Sequence, residues 1–78
     1  MERTYFHVFE LREENKDQEN WIFRSRENAK EKFKSLAEPL EKDEEYAIID
    51  EPKRIYVRNK KAIIGMEEVE YDDPKEDK

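Results

Sequence analysis

The sequence predicts an α+β domain: one antiparallel sheet of about four to five strands with one helix packed on one face, in the order β-β-α-β-β-β. Three observations predict it. Short runs rich in aromatic and β-branched residues lie on both sides of the one stretch with helical periodicity. Pro52 and Asn59 punctuate the later runs, as turn formers do. A chain of 78 residues has room for a single domain and a single core.

Thr4 to Arg12 reads as the first strand. Tyr5, His7, Phe9 and Leu11 alternate with Thr4, Phe6, Val8 and Glu10, and both sets are largely apolar, which predicts a central strand covered on both sides. Glu13 to Asn20 is polar without period and reads as a hairpin loop, after which Trp21 to Arg24 returns antiparallel. Ser25 is the expected N-cap of a helix from about Arg26 to Glu38, ended by Pro39. Its apolar positions Ala29, Phe33, Leu36 and Ala37 fall within one stripe roughly 100° wide. Leu40 to Glu45 is a charged connection, Tyr46 to Asp50 a third strand, and Glu51-Pro52-Lys53 a turn. Ile55 to Arg58 forms a fourth strand, Asn59-Lys60 a tight turn, and Ala62 to Met66 a fifth strand. Gly65 is expected to mark a bulge that lets pairing continue through Val69 to Tyr71. The domain then spans residues 1–71, and 72–78 form a polar tail expected to fray.

One helix of this length covers only part of one side of such a sheet. The strands nevertheless carry apolar residues on both sides, and the surplus calls for a second copy, a partner or a strongly curled sheet. A homodimer or partner-binding face is the preferred expectation.

Composition narrows the chemistry. There is no cysteine, and only one histidine (His7), one glycine (Gly65), two serines and one threonine. Nucleophilic catalysis, zinc sites and phosphate-cradling loops draw on that depleted set, so a non-enzymatic protein without cofactor or metal is expected. Lack of cysteine fits a reducing compartment, and Met1-Glu2-Arg3-Thr4 lacks the apolar core of a signal peptide, so the expected location is cytoplasmic, with no membrane association.

Charge is the other resource: 49% of the chain is Asp, Glu, Lys or Arg, with a net charge of −6. Signs are segregated. Asp43 to Glu51 hold five acids and no base, Lys53 to Lys61 five bases and no acid, and Glu67 to Asp77 seven acids and one base. Such blocks can steer a charged partner, or simply keep loops and edges in water.

The candidate contact residues follow. Aromatic anchors would be Trp21, Tyr46, Tyr56 and Tyr71. Orientation would come from Asp43, Glu44, Glu45, Asp50, Glu51, Glu67, Glu68, Glu70, Asp72 and Asp73, which could imitate the phosphates of a nucleic acid or only confer solubility. Lys53, Arg54, Arg58, Lys60 and Lys61, with Tyr56 among them, form the one pattern resembling a nucleic-acid contact, against the plainer role of guarding an edge strand. His7 reads as a half-buried, hydrogen-bonded strand residue rather than a catalytic base.

The run Phe23-Arg24-Ser25-Arg26-Glu27-Asn28-Ala29, following a strand hairpin and opening a short Lys/Glu helix, resembles many small acidic proteins encoded by phages and other mobile elements. The likeness covers about Tyr5 to Leu36 and transfers no functional residue. It implies a class of proteins that bind and disable a host or defence protein, anti-CRISPR inhibitors among them. The sequence thus predicts a protein-binding inhibitor. The alternatives are a small nucleic-acid-binding regulator using the 53–61 hairpin and an acidic immunity protein or antitoxin.

Overall fold

Strict alternation along the strands decides which side of the sheet each residue faces. The computed structural model describes residues 2–14 and 17–72, with side chains for 3–14 and 17–70. Five strands, β1 (Glu2–Arg12), β2 (Glu19–Phe23), β3 (Ala47–Glu51), β4 (Arg54–Arg58) and β5 (Ala62–Asp72), form one sheet in the order β2-β1-β5-β4-β3. Every neighbouring pair is antiparallel. A single helix, α1 (Arg26–Ala37), lies on one side and packs chiefly on β1, β5 and β2. The α+β architecture expected from the sequence is the observed one.

Phe6 and Val8 of β1, Val57 of β4, Ala62 and Ile64 of β5 meet Ala29, Phe33 and Ala37 of α1 in one buried cluster. Three of the four predicted apolar positions of the helix are thus buried, and Leu36 packs at the margin. Ser25 caps the helix as expected, its Oγ accepting from the Asn28 N–H at 3.3 Å.

The helix end departs from expectation. Pro39 does not release a free connection; Glu38–Lys42 continue as a 3-10 turn with the proline in its first positions. Proline is tolerated there because the first N–H groups of a helix have no internal partner. The tighter turn brings Leu40 back into the core, where it is 2% exposed.

β5 also differs. Its register with β1 runs without interruption from Ala62↔Arg12 to Asp72↔Glu2, so Gly65 marks no bulge. The strand extends to Asp72, one residue into the expected tail; residues 73–78 lie outside the described residues. The turn at Asn59 is not a left-handed tight turn either, because no described non-glycine residue has positive φ. Instead the Asn59 side chain accepts from the N–H groups of Lys61 (2.8 Å) and Ala62 (3.0 Å).

β1 is central, but only one of its sides is covered. The strands' odd-numbered residues in β1 and β5, with their partners in β2, β3 and β4, form a second side over which no described element packs. Leu11, Ile22, Ile49 and Ile63 are exposed there, Ile22 most of all at 59%.

Candidate functional site

The uncovered side is organised in rows that cross the strands in register. Nearest the β4–β5 hairpin, Leu11, Ile63, Arg58 and Ala47 lie side by side. The next row is Asn20, Phe9, Gly65, Tyr56 and Ile49. Then come Ile22, His7, Glu67, Arg54 and Glu51, and beyond them Tyr5 and Val69.

Gly65 is what lets the second row exist. A methyl group built on it would overlap the far edge of the Phe9 ring and come within 2.8 Å of Tyr56 Cδ1. Both rings therefore lie down across bare backbone, with centroids 5.8 Å apart. His7 continues the strip, 5.5 Å from Phe9. The result is an aromatic band across three strands, a known way to fill the space a strand glycine leaves.

The third row is a belt of polar groups that partner one another within the surface itself. His7 Nδ1 is 3.0 Å from Glu67 Oε2, and its Nε2 is 2.7 Å from Asn20 Oδ1. Gln18 fixes that asparagine, donating from Nε2 to Oδ1 at 2.7 Å and accepting from Nδ2 on its carbonyl at 3.3 Å. The imidazole is thus the half-buried, hydrogen-bonded group the sequence suggested, and it lines neither of the two larger depressions. Arg54 Nε pairs with Glu51 at 3.0 Å, and its Nη1 donates to the Tyr56 hydroxyl at 3.1 Å. That hydrogen bond first, then the neighbouring Glu51 charge, holds the Arg54 guanidinium above its ordinary value.

Strand alternation divides the acidic blocks that the sequence presents as continuous. Glu67 faces the uncovered side, whereas Glu68 and Glu70 face the helix side and are bound by Arg26 (2.7 Å) and Lys53 (3.4 Å). Glu51 faces the uncovered side and Asp50 the other. Asp43, Glu44 and Glu45 lie beyond the 3-10 turn, where Glu45 pairs with Lys60 at 3.5 Å. The backbone of Asp72 closes β5, and Asp73 is outside the described residues.

The three aromatic candidates whose side chains are described are not brought together. Tyr56 is on the uncovered side, but Trp21 lies on the helix side beneath Lys32, whose Nζ is 4.4 Å from the ring centre. Tyr46 packs against the core, where burial, helped by Glu41, raises its phenol above the ordinary value. Tyr71 has its backbone in β5 opposite Arg3, its side chain lying outside the described residues. The aromatic anchors that do share the surface, Phe9 and Tyr5, were visible in the sequence as the odd positions of β1; period two was the signal for them.

Two of the five basic candidates, Arg54 and Arg58, share the uncovered side with Tyr56; Lys60 and Lys61 sit in the hairpin beside them, and Lys53 is turned to the helix side by Glu70. At that end a depression of about 410 Å³ is lined by Leu11 and Ile63 above the buried Ala62, and rimmed by Arg12, Glu13, Arg58, Asn59, Lys60 and Lys61. Arg12 is engaged by the buried carboxylate of Glu10, 2.6 Å from Oε2 in an ion pair whose angles do not make a hydrogen bond. Lys60 is engaged by Glu45. Arg58 and Lys61 have no ion-pair partner among the described residues.

Among the described residues no three His, Cys, Asp or Glu side chains gather as a metal ion would require. No described helix is long and apolar enough to cross a membrane. Comparison with protein-family models, curated proteins and solved structures gives no match to this chain.

Proposed function

We propose that the chain is a non-enzymatic protein-binding module that docks onto a partner protein through the uncovered side of its sheet. In the class it resembles, such docking disables a host or defence protein. One observation carries the reading: exposed Leu11, Ile22, Ile49 and Ile63 surround an aromatic band, and the polar groups between them already partner one another. Covering such a surface gains apolar burial, and the desolvation cost of its polar groups is offset in part because each keeps a partner within the surface. The interface would have Phe9 and Tyr56 as rigid anchors and the His7–Glu67 and Arg54–Glu51 pairs as a polar belt.

Site-specific photo-crosslinking in cells of the source organism tests it. A photoreactive side chain at Ile22 or Ile49 is expected to give a discrete adduct, and the same group at exposed Lys34 on α1 is not. Equal labelling from both sides, or none from Ile22 and Ile49, would count against the reading. An adduct of twice the chain's mass would assign the surface to a second copy.

A second reading, single-stranded nucleic acid, is favoured by Arg54 and Arg58 sharing a surface with Phe9 and Tyr56. Salt-dependent binding of an oligonucleotide, lost on charge reversal at Arg54 and Arg58, would establish it.

A further inference from the structure

Although the chain carries a charge of −6, the uncovered side is not acidic. Within its crossing rows the only carboxylates are Glu51 and Glu67, and both are engaged, by Arg54 and His7. Its unpaired charge sits at one end, where the two cations Arg58 and Lys61 outnumber the one carboxylate, Glu13, around the depression lined by Leu11 and Ile63. An apolar floor between two unpaired cations has a definite chemical complement.

We propose that this end of the sheet is a pocket for an acidic–apolar segment of the partner protein. One aliphatic or aromatic side chain sits on Leu11 and Ile63, and carboxylates flanking it in sequence are held by Arg58 and Lys61. The assignment rests on the uncovered side being the docking surface, and it names the chemistry that surface selects.

Three further features favour a peptide-like occupant. The hairpin is preorganised: Asn59 closes the turn on the N–H groups of Lys61 and Ala62, and the Glu13 N–H donates to the Lys61 carbonyl at 2.8 Å. Ordering cost on binding is correspondingly small. Those same bonds occupy backbone groups of the turn, so recognition falls to side chains. Finally, two free cations are too few to track a nucleic-acid backbone. Neutralising two phosphates of a single strand gives a log–log salt slope of only about −1.4, against the repulsion of an acidic chain.

The test is a titration of the isotope-labelled full chain, followed by NMR, with three short capped peptides and an oligothymidylate. The first peptide has a central leucine flanked by Glu and Asp. The second keeps the leucine with lysine flanks, and the third keeps the acidic flanks with a central glycine. The expected result is that the first peptide shifts the signals of Leu11, Ile63 and residues 58–62. Its affinity should fall about tenfold or more in Arg58→Glu and in Lys61→Glu, and also when glycine replaces leucine. Both residues are exposed, so circular dichroism of the variants should match the parent.

Equal or tighter binding of the lysine-flanked peptide would overturn the charge assignment while leaving the docking surface in place. Stronger shifts with oligothymidylate would overturn it in favour of a phosphate ligand. No shift with any probe would overturn the pocket itself, and cross-linking from Ile22 and Ile49 decides separately whether the wider surface is a docking face.

Discussion

Ile63 and Ile64 are neighbours in one strand, yet they belong to different solvents. Ile64 is 0% exposed beneath the helix, and Ile63 is 38% exposed on the other side. The helix side is a conventional core in which Val8, Val57 and Ile64 lock against Ala29 and Phe33. On the other side no described helix buries the strands, and the side chains are ordered laterally: rings laid over a glycine, and polar partners along the surface. The difference teaches that a sheet face can be ordered without being covered, which is the condition a docking surface needs.

The largest expected effect is a direct break of that comparison. Ile64→Ala should cost about 2–5 kcal/mol in urea unfolding, since it opens a cavity in packed core. Ile63→Ala should cost below about 1 kcal/mol, because water already reaches the side chain. Equal costs would mean that the uncovered side is buried in solution, as a dimer would make it. Should Ile64→Ala fail to fold, Ile64→Val, at about 0.5–1.5 kcal/mol, makes the same comparison.

Next comes Gly65→Ala. Strand propensity alone would favour alanine, but the added methyl must displace Phe9 and Tyr56, so a loss of about 1–3 kcal/mol is expected. In a Phe9→Ala background the same change should cost much less, because the overlapping ring is gone. Additive effects in the double-mutant cycle would remove the role assigned to the glycine.

Ser25→Ala should cost about 1 kcal/mol through the lost cap and lower the cooperativity of neither face. The smallest effect is alkaline. The Tyr46 phenol is raised by burial, so the folded state holds its proton longer than the unfolded chain does. Stability from this group is whole below the ordinary tyrosine value and declines as pH climbs above it. Tyr46→Phe should flatten that decline in unfolding measured between neutral and strongly alkaline pH.

Much of this was legible in the chain itself. Ser25 and Pro39 bracket the helix, and its apolar stripe placed Ala29, Phe33 and Ala37 where they are buried. The strand order along the chain followed from period-two runs and from Pro52 and Asn59. Leu40 was misplaced because a single apolar residue in a charged run has no periodicity to announce it. Gly65 suggested a bulge because the cause of a strand glycine is three-dimensional: the ring that overlaps it most, Phe9, comes from β1, far away in sequence, and meets Tyr56 from the adjoining β4 across it. The acidic blocks misled for the opposite reason, since proximity in sequence becomes opposition across a pleat, and Glu67 and Glu68 end on different sides.

The pairing of β1 with β5 has a consequence for how the molecule comes into being. The first and the fifth strands lie side by side over eleven residues each, at the centre of the sheet. β2 and α1 are made early enough to meet β1, but its other edge, and the Ile64 that completes the core around Phe6 and Val8, come only with a segment some sixty residues downstream. Such distant closure is slow and all-or-none. A nascent chain stopped after β4 should hold no continuous sheet and stay protease-sensitive, because β5 is the strand that joins the β1–β2 pair to the β3–β4 pair.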